Sequence, residues 1–410
     1  MALSPANCRS VFHMAKFTDP IEVRGRRIKH RILMSAMTTS RAEEDGAPSA
    51  WSHAHYEARA RGGAAICFTE ATYVNQEGKG FPNQLSTHDD AHVPALRELI
   101  QAVAEAGAPL AVQIYHAGRT ALSAITGMEP VGPSPIPHPT EDEVPREMSE
   151  ADIKTAVQAY GDAARRVRAA GGEILEIHGA TWYLCQQFFS PASNQRADGY
   201  GGSLANRMRF PLEVAQAVRE GGGEDMVVSY RLGLLEPFEN GFTVEDTLAL
   251  APALVEAGVD ILHCSRNARV GLPVMPDLYN PAFDRLRKAV DVPLVANGAA
   301  FEPARIQAYL DGGADFVGVG RALLTDPDYA NKALAARDGE IIRCIECKPC
   351  AFMANSKCPD DAYPSGMPES MSAVLEIAST MAGGGYAPTA KKRLTTDAPI
   401  EEQPESSSIS

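Results

Sequence analysis

The stretch EILEIHG, residues 173–179, reads as a short strand of apolar and β-branched side chains closed by a glycine. It is one of a series. From residue 31 the chain alternates such runs with longer helical patterns: RILMSAM (31–37), AAICFTEA (64–71), PLAVQIYH (109–116), EILEIHG, MVVSYRLG (226–233), DILHCS (260–265), PLVANGA (293–299) and DFVGVG (315–320). Helical stretches between them, such as HVPALRELIQAVAEAG (92–107) and TVEDTLALAPALVEAG (243–258), end at a glycine shortly before the next strand, as helix-to-strand loops prefer. Near-continuous apolar strands in a βα alternation imply a parallel sheet covered on both faces. Eight such units over about 300 residues predict an α/β fold, the (β/α)8 TIM barrel, as a single domain. The alternative, an open doubly wound sheet, lacks the G-x-G-x-x-G that would follow its first strand.

At 410 residues the chain is long enough for one large barrel or two ordinary domains. The composition, 45% hydrophobic and 22% charged, is that of a soluble globular enzyme. No apolar run approaches the roughly 18 to 20 residues of a membrane-spanning helix. The formal net charge of -14 argues against a nucleic-acid partner, so an anionic ligand has to be met by local donors. The first 18 residues contain no acid and carry Arg9, His13 and Lys16, a weak resemblance to a targeting peptide. A short extension before an alternative start at Met14 accounts for them equally, and a cytoplasmic location is expected, with organellar import through the N-terminus left open.

The segment 127–152 contains six prolines and should form a long loop over one end of the barrel. The sequence Ser149-Glu-Ala-Asp152 then offers a capping box for the next helix. Residues 17–340 would make up the barrel, after an N-terminal extension at 1–16. Four cysteines, Cys344, Cys347, Cys350 and Cys358, cluster at 341–360. Without a secretion signal, such spacing points to a metal rather than to disulfides. Residues 361–410 should be mostly disordered, since apolar periodicity is lost there.

A barrel places its active site at the C-terminal ends of its strands. The polar residues just past each apolar run are Thr38, Glu70 with Ala71, Gln113 and His116, His178 with Thr181 and Tyr183, Arg231, Gly298, and Gly320 with Arg321. Glycines beside an arginine at the seventh and eighth strands suit a phosphate, because backbone N–H groups can approach it closely and arginine adds a bidentate contact. A phosphorylated cofactor is implied.

These residues stand within motifs that resemble the Old Yellow Enzyme family of FMN-dependent ene-reductases. The motifs are MSAMTTSRA (34–42), HYEARARGG (55–63), TEATYVNQEGKG (69–80), VQIYHAGR (112–119), HGATWYLCQQFFSPASNQRADGYGGS (178–203), SYRLG (229–233) and GVGRALLTDP (318–327), in the family's order. The resemblance implies that FMN is held by Thr38 at its O4 edge, by Gln113 at the pyrimidine ring and by Arg231 at N1/O2, with Ala71 also among the cofactor-binding residues. Gly298, Gly320 and Arg321 would hold its phosphate. His178 and Thr181 would be the two donors to the substrate's activating oxygen, and Tyr183 the proton donor. NAD(P)H would be the reductant and a small α,β-unsaturated molecule the substrate, sharing one pocket. Thr181 departs from the family's usual Asn or His, and a single hydroxyl offers only one hydrogen. The segment CIECKPCAFMANSKC (344–358) is similar to the iron-sulfur site of the dienoyl-CoA reductase branch, with shorter spacing. The expected function is therefore NAD(P)H-dependent reduction of activated C=C bonds. The alternatives are a dienoyl-CoA-type iron-sulfur flavoenzyme and a flavin-binding protein with vestigial activity.

Overall fold

A computed structural model describes residues 15–139, 141–236, 240–265 and 279–344. Eight parallel strands run in chain order: β1 (Ile32–Met34), β2 (Cys67–Phe68), β3 (Leu110–Tyr115), β4 (Ile174–Gly179), β5 (Val227–Gly233), β6 (Ile261–Ser265), β7 (Leu294–Asn297) and β8 (Phe316–Val319). Each pairs with the next, and β8 returns to β1, which closes the barrel. A helix follows every strand: α1 (Ala50–Arg61), α2 (Val93–Glu105), α3 (Glu150–Ala169), α4 (Leu204–Gly222), α5 (Val244–Glu256), α6 (Tyr279–Ala289), α7 (Pro303–Asp311) and α8 (Tyr329–Leu334). This is the (β/α)8 TIM barrel expected from the alternation. Among the described residues no helix is long and apolar enough to cross a membrane.

Local signals act where the sequence places them. Ser149 caps α3 in a reciprocal box: the Asp152 amide donates to its hydroxyl at 3.2 Å, and its own amide donates to the Asp152 carboxylate at 2.8 Å. Gly107 and Gly258, past the ends of α2 and α5, adopt φ of 113° and 103°, where a side chain would be strained. Among its described residues the proline-rich segment forms no long helix before α3. Its Val131–Gly132 pairs with Arg146–Glu147, and Arg196 donates to the carbonyls of Pro133 and Met148 at 3.0 and 2.6 Å.

The strands are shorter than the apolar runs that announced them. After Ser35, whose amide still donates to the Val319 carbonyl at 3.0 Å, the chain leaves the ladder, and the amides of Thr39 and Ser40 donate to the Glu70 carboxylate at 2.6 and 3.0 Å instead of to a neighbouring strand. A buried acid thus draws the end of β1 into a loop.

Inside the barrel the period of two separates an apolar layer from a polar one. Leu33, Phe68, Ala111, Ile174, Val227, Ile261, Val295 and Phe316, one from each strand, join Val23 and Ile28 in a single buried cluster. Val23 and Ile28 come from an antiparallel hairpin, Ile21–Val23 with Arg26–Ile28, that packs on the N-terminal end. Two residues further along their strands stand Ser35, Gln113, Glu176, Ser229, His263 and Asn297. Gly318 completes this level, since a Cβ there would collide with Ser35 Oγ and lie 3.0 Å from His263 Nε2. The floor below the strand ends is therefore polar.

Cys347, Cys350 and Cys358, and with them the metal assignment, lie outside the described residues, as do 1–14 and the tail at 361–410. Cys344 is described as a half-buried free thiol.

Candidate active site

The register of the central strands brings the sequence-predicted residues together. His178 on β4 stands opposite Arg231 on β5, and Arg231 stands opposite His263 on β6. One level lower, Gln113 on β3 faces Glu176, which faces Ser229. Thr38 lies in the loop just after β1, and Ala71, buried, follows β2 with its carbonyl accepting from Gln84 Nε2 at 2.6 Å. Gly298 leaves β7 at φ 124°, and Gly320 leaves β8 at the head of the short helix Arg321–Thr325. Because β7 and β8 are neighbours, with Asn297 opposite Gly318, the two glycines lie at adjacent strand ends. The Arg321 guanidinium sits 4.7 Å from the Phe301 ring centroid.

Beneath these residues lies a network that sequence reading missed. The Glu176 carboxylate, fully buried, accepts from Gln113 Nε2 at 2.6 Å, Ser229 Oγ at 2.7 Å and His263 Nδ1 at 2.7 Å. Arg231 Nη1 lies 3.2 Å from His263 Nε2. Burial by itself would raise the Glu176 pKa, but His263, Arg231 and the Ser229 hydroxyl outweigh it and hold the carboxyl at about 2. The His178 pKa is also pushed down. Burial, and then the positive charge of Arg231, lower it to about 3, so its ring is neutral at physiological pH. The Ala180 amide donates to His178 Nδ1 at 3.3 Å. An accepting Nδ1 in a neutral ring leaves the proton on Nε2, which makes Nε2–H the ring's donor.

The chain between His178 and Tyr183 is tightly wound. Thr181 and Trp182 have φ of 57° and 62°, the left-handed region, at a cost of roughly 1–2 kcal/mol for each non-glycine residue. The cost is opposed by a dense set of anchors. Gln187 Nε2 donates to the carbonyls of Trp182 and Ala117 at 2.6 and 2.9 Å, and the Leu184 amide donates to the His116 carbonyl at 3.0 Å. The turn is thereby clamped to the end of β3. It delivers the Tyr183 ring edge-on to His178, centroids 4.8 Å apart, and to Tyr115 at 4.7 Å. Tyr115 is fixed in turn by its hydroxyl, which donates to Gln84 Oε1 at 2.8 Å.

Two further residues singled out by position serve as supports. Glu70 accepts the Thr39, Ser40 and Leu85 amides, the last at 3.2 Å, and so holds the loop that carries Thr38. His116 accepts from the Gly118 amide at 3.0 Å and packs 3.8 Å from the Glu77 carboxylate. The missed residues had a readable signal. Glu176, Ser229 and His263 are polar residues inside apolar runs, and Glu176 and Ser229 lie two positions before His178 and Arg231, on the same inward face.

Known proteins resemble this chain in sequence and in fold. The chain is 39% identical over 330 residues to the NADH oxidase of Thermoanaerobacter brockii, covering 78% of this chain and 51% of that protein. It is 38% identical over 313 residues to an NADPH dehydrogenase of Geobacillus sp. (strain WCH70), covering 75% of this chain and 91% of that one. The chain thus spans about half the length of the first relative and nine-tenths of the second. Among solved structures, morphinone reductase superposes with a TM-score of 0.73 at 27% identity, over 86% of this chain and 98% of the other. Residues 16–340, nearly the whole described barrel, match the NADH:flavin oxidoreductase / NADH oxidase family. The strand-end residues and the matched span coincide, and the chain belongs to that family, the FMN-dependent family to which its Old Yellow Enzyme motifs pointed.

Proposed function

We propose that this chain is an NAD(P)H-dependent FMN oxidoreductase that reduces the activated C=C bond of a small α,β-unsaturated carbonyl compound. The donor set fits FMN. Gln113, with Nε2 engaged by Glu176, keeps its carbonyl oxygen as an acceptor for the single N–H of the flavin pyrimidine edge. Arg231 supplies a cation for the N1/O2 edge, and Thr38 and Ala71 flank the O4 side. Gly298, Gly320 and Arg321 provide backbone and guanidinium donors for the phosphate. When bound, FMN supplies the chemistry of hydride transfer, from NAD(P)H to the alkene β-carbon.

The observation that carries the reading is the pairing of a neutral His178, with Nε2–H as its donor, and Tyr183 packed edge-on against it. As hydride adds to the β-carbon, negative charge gathers on the carbonyl oxygen. His178 Nε2–H and the Thr181 hydroxyl hydrogen-bond that oxygen and lower the barrier. Tyr183 gives its proton to the α-carbon, which completes the addition of one hydride and one proton across the double bond. The purified protein should be yellow, bleach anaerobically with NAD(P)H and regain its colour on addition of an enone. Bleaching without recovery would leave a flavin reductase and remove the ene-reduction reading.

The depressed pKa of His178 has a direct consequence. With a value of about 3, the ring stays a neutral donor well below the ordinary histidine range. Binding of a phenol-type ligand is expected to be flat from roughly pH 5 to 7.5, where an exposed histidine would titrate. A tenfold change per pH unit below about 6.5, measured by spectral titration, would show that His178 ionises normally.

A further inference from the structure

Gln113 and Arg231 come from different strands and are proposed to meet different parts of the flavin ring, yet both are tied to one buried carboxylate. Gln113 reaches Glu176 directly at 2.6 Å, whereas Arg231 reaches it through His263, at 3.2 Å on one ring nitrogen and 2.7 Å on the other. Arginine has only donors, so His263 Nε2 must accept and Nδ1 must carry the proton to Glu176. Burial lowers the His263 pKa, opposed by the Glu176 charge and aided by that of Arg231. The Phe68 ring packs 5.4 Å from it, and Ser229 occupies the same carboxylate oxygen as His263. What results is a cation and an anion separated by one oriented, uncharged imidazole.

We infer that Glu176, acting through His263, is a positioning residue that sets how much positive charge Arg231 presents to bound FMN, and so sets the balance between oxidised and reduced flavin. The inference rests on the FMN reading above. Reduced FMN carries extra negative charge at the N1/O2 edge and the oxidised form does not. Arg231 therefore favours the reduced form, while the fixed negative charge of Glu176 opposes it from behind. No side chain movement is needed, because the three bonds to the carboxylate and the close floor around Gly318 hold the array in place. If Glu176 served only to orient its neighbours, its loss would leave the potential untouched or, by displacing Arg231, lower it.

The test compares holoenzymes carrying Glu176→Gln, Glu176→Asp and Arg231→Ala, reading the flavin midpoint potential and the dissociation constant of oxidised FMN. Glu176→Gln is expected to favour reduced over oxidised FMN by about ten- to a hundredfold, a positive shift of about 30 to 60 mV for a two-electron couple. Glu176→Asp, which keeps the charge, should stay close to wild type, and Arg231→Ala should shift the potential negative. An unchanged or lowered potential in Glu176→Gln overturns the inference, whatever happens to affinity. If that variant fails to fold, the wild-type ¹⁵N spectrum decides, with His263 assigned by His263→Asn: a neutral ring protonated at Nδ1 supports the array, and protonation at Nε2 overturns it. A wild type that takes up no FMN would instead sink the proposed function, and the His263 tautomer would remain measurable.

Discussion

Tyr183→Phe is expected to leave flavin reduction by NAD(P)H near the wild-type rate while slowing reoxidation by an enone roughly 10²- to 10⁴-fold, the usual range for loss of a general acid. The contrast follows from how the ring is held. Tyr183 is wedged edge-on between His178 and Tyr115, and its backbone is fixed by the Gln187 clamp, so phenylalanine keeps the packing and removes only the hydroxyl. Hydride arrival at the β-carbon needs no proton from the protein, but completion at the α-carbon does. Reoxidation by molecular oxygen uses neither an enone nor a proton donor at that position and serves as the internal control. Stopped-flow traces of the two half-reactions decide the matter. Should the variant reoxidise with an enone as fast as wild type, Tyr183 is not the donor.

The fold was legible because the barrel repeats one signal eight times. Each apolar run supplied a strand, and the glycines closing the helical stretches supplied the turns. Strand length was less legible. The run at 64–71 yields only Cys67–Phe68, because Glu70 is diverted to cap the Thr39 and Ser40 amides, a tertiary interaction that no local propensity encodes. The candidate site divides in the same way. His178, Arg231 and Gln113 could be placed by counting to the strand ends, since adjacent parallel strands in register pair His178 with Arg231 and set Gln113 one level below, opposite Glu176. Glu176 and His263 stand out as polar residues inside apolar runs, but residue type alone does not say what they bond. Their meaning arises from cross-strand register, which puts β3, β4, β5 and β6 side chains around one carboxylate. The conformation at Thr181 and Trp182 was hidden for a different reason: neither residue prefers the left-handed region, and the anchors that hold it come from Gln187 and from the end of β3.

His178→Ala should separate the second role from that of Tyr183. Removing one preorganised donor to a developing oxyanion costs about 10²- to 10³-fold in rate, so enone reoxidation should slow by that order. Unlike Tyr183→Phe, the change should also weaken binding of phenol-like ligands, because His178 Nε2–H is proposed to meet the ligand oxygen before any proton moves. The fold should tolerate it. His178 is neutral in the native state, so its removal strands no buried counter-charge, and Arg231 keeps its contact with His263. Thr181→Ala, which removes a single hydroxyl hydrogen, should act in the same direction with a smaller effect. The pair of measurements gives a pattern that packing damage would not imitate: weakened ligand binding with slowed reoxidation for His178→Ala, and slowed reoxidation with near-normal binding for Tyr183→Phe. Wild-type ligand affinity in His178→Ala would mean that the substrate oxygen is held elsewhere, and the oxyanion role would then have to be reassigned among the residues at the strand ends.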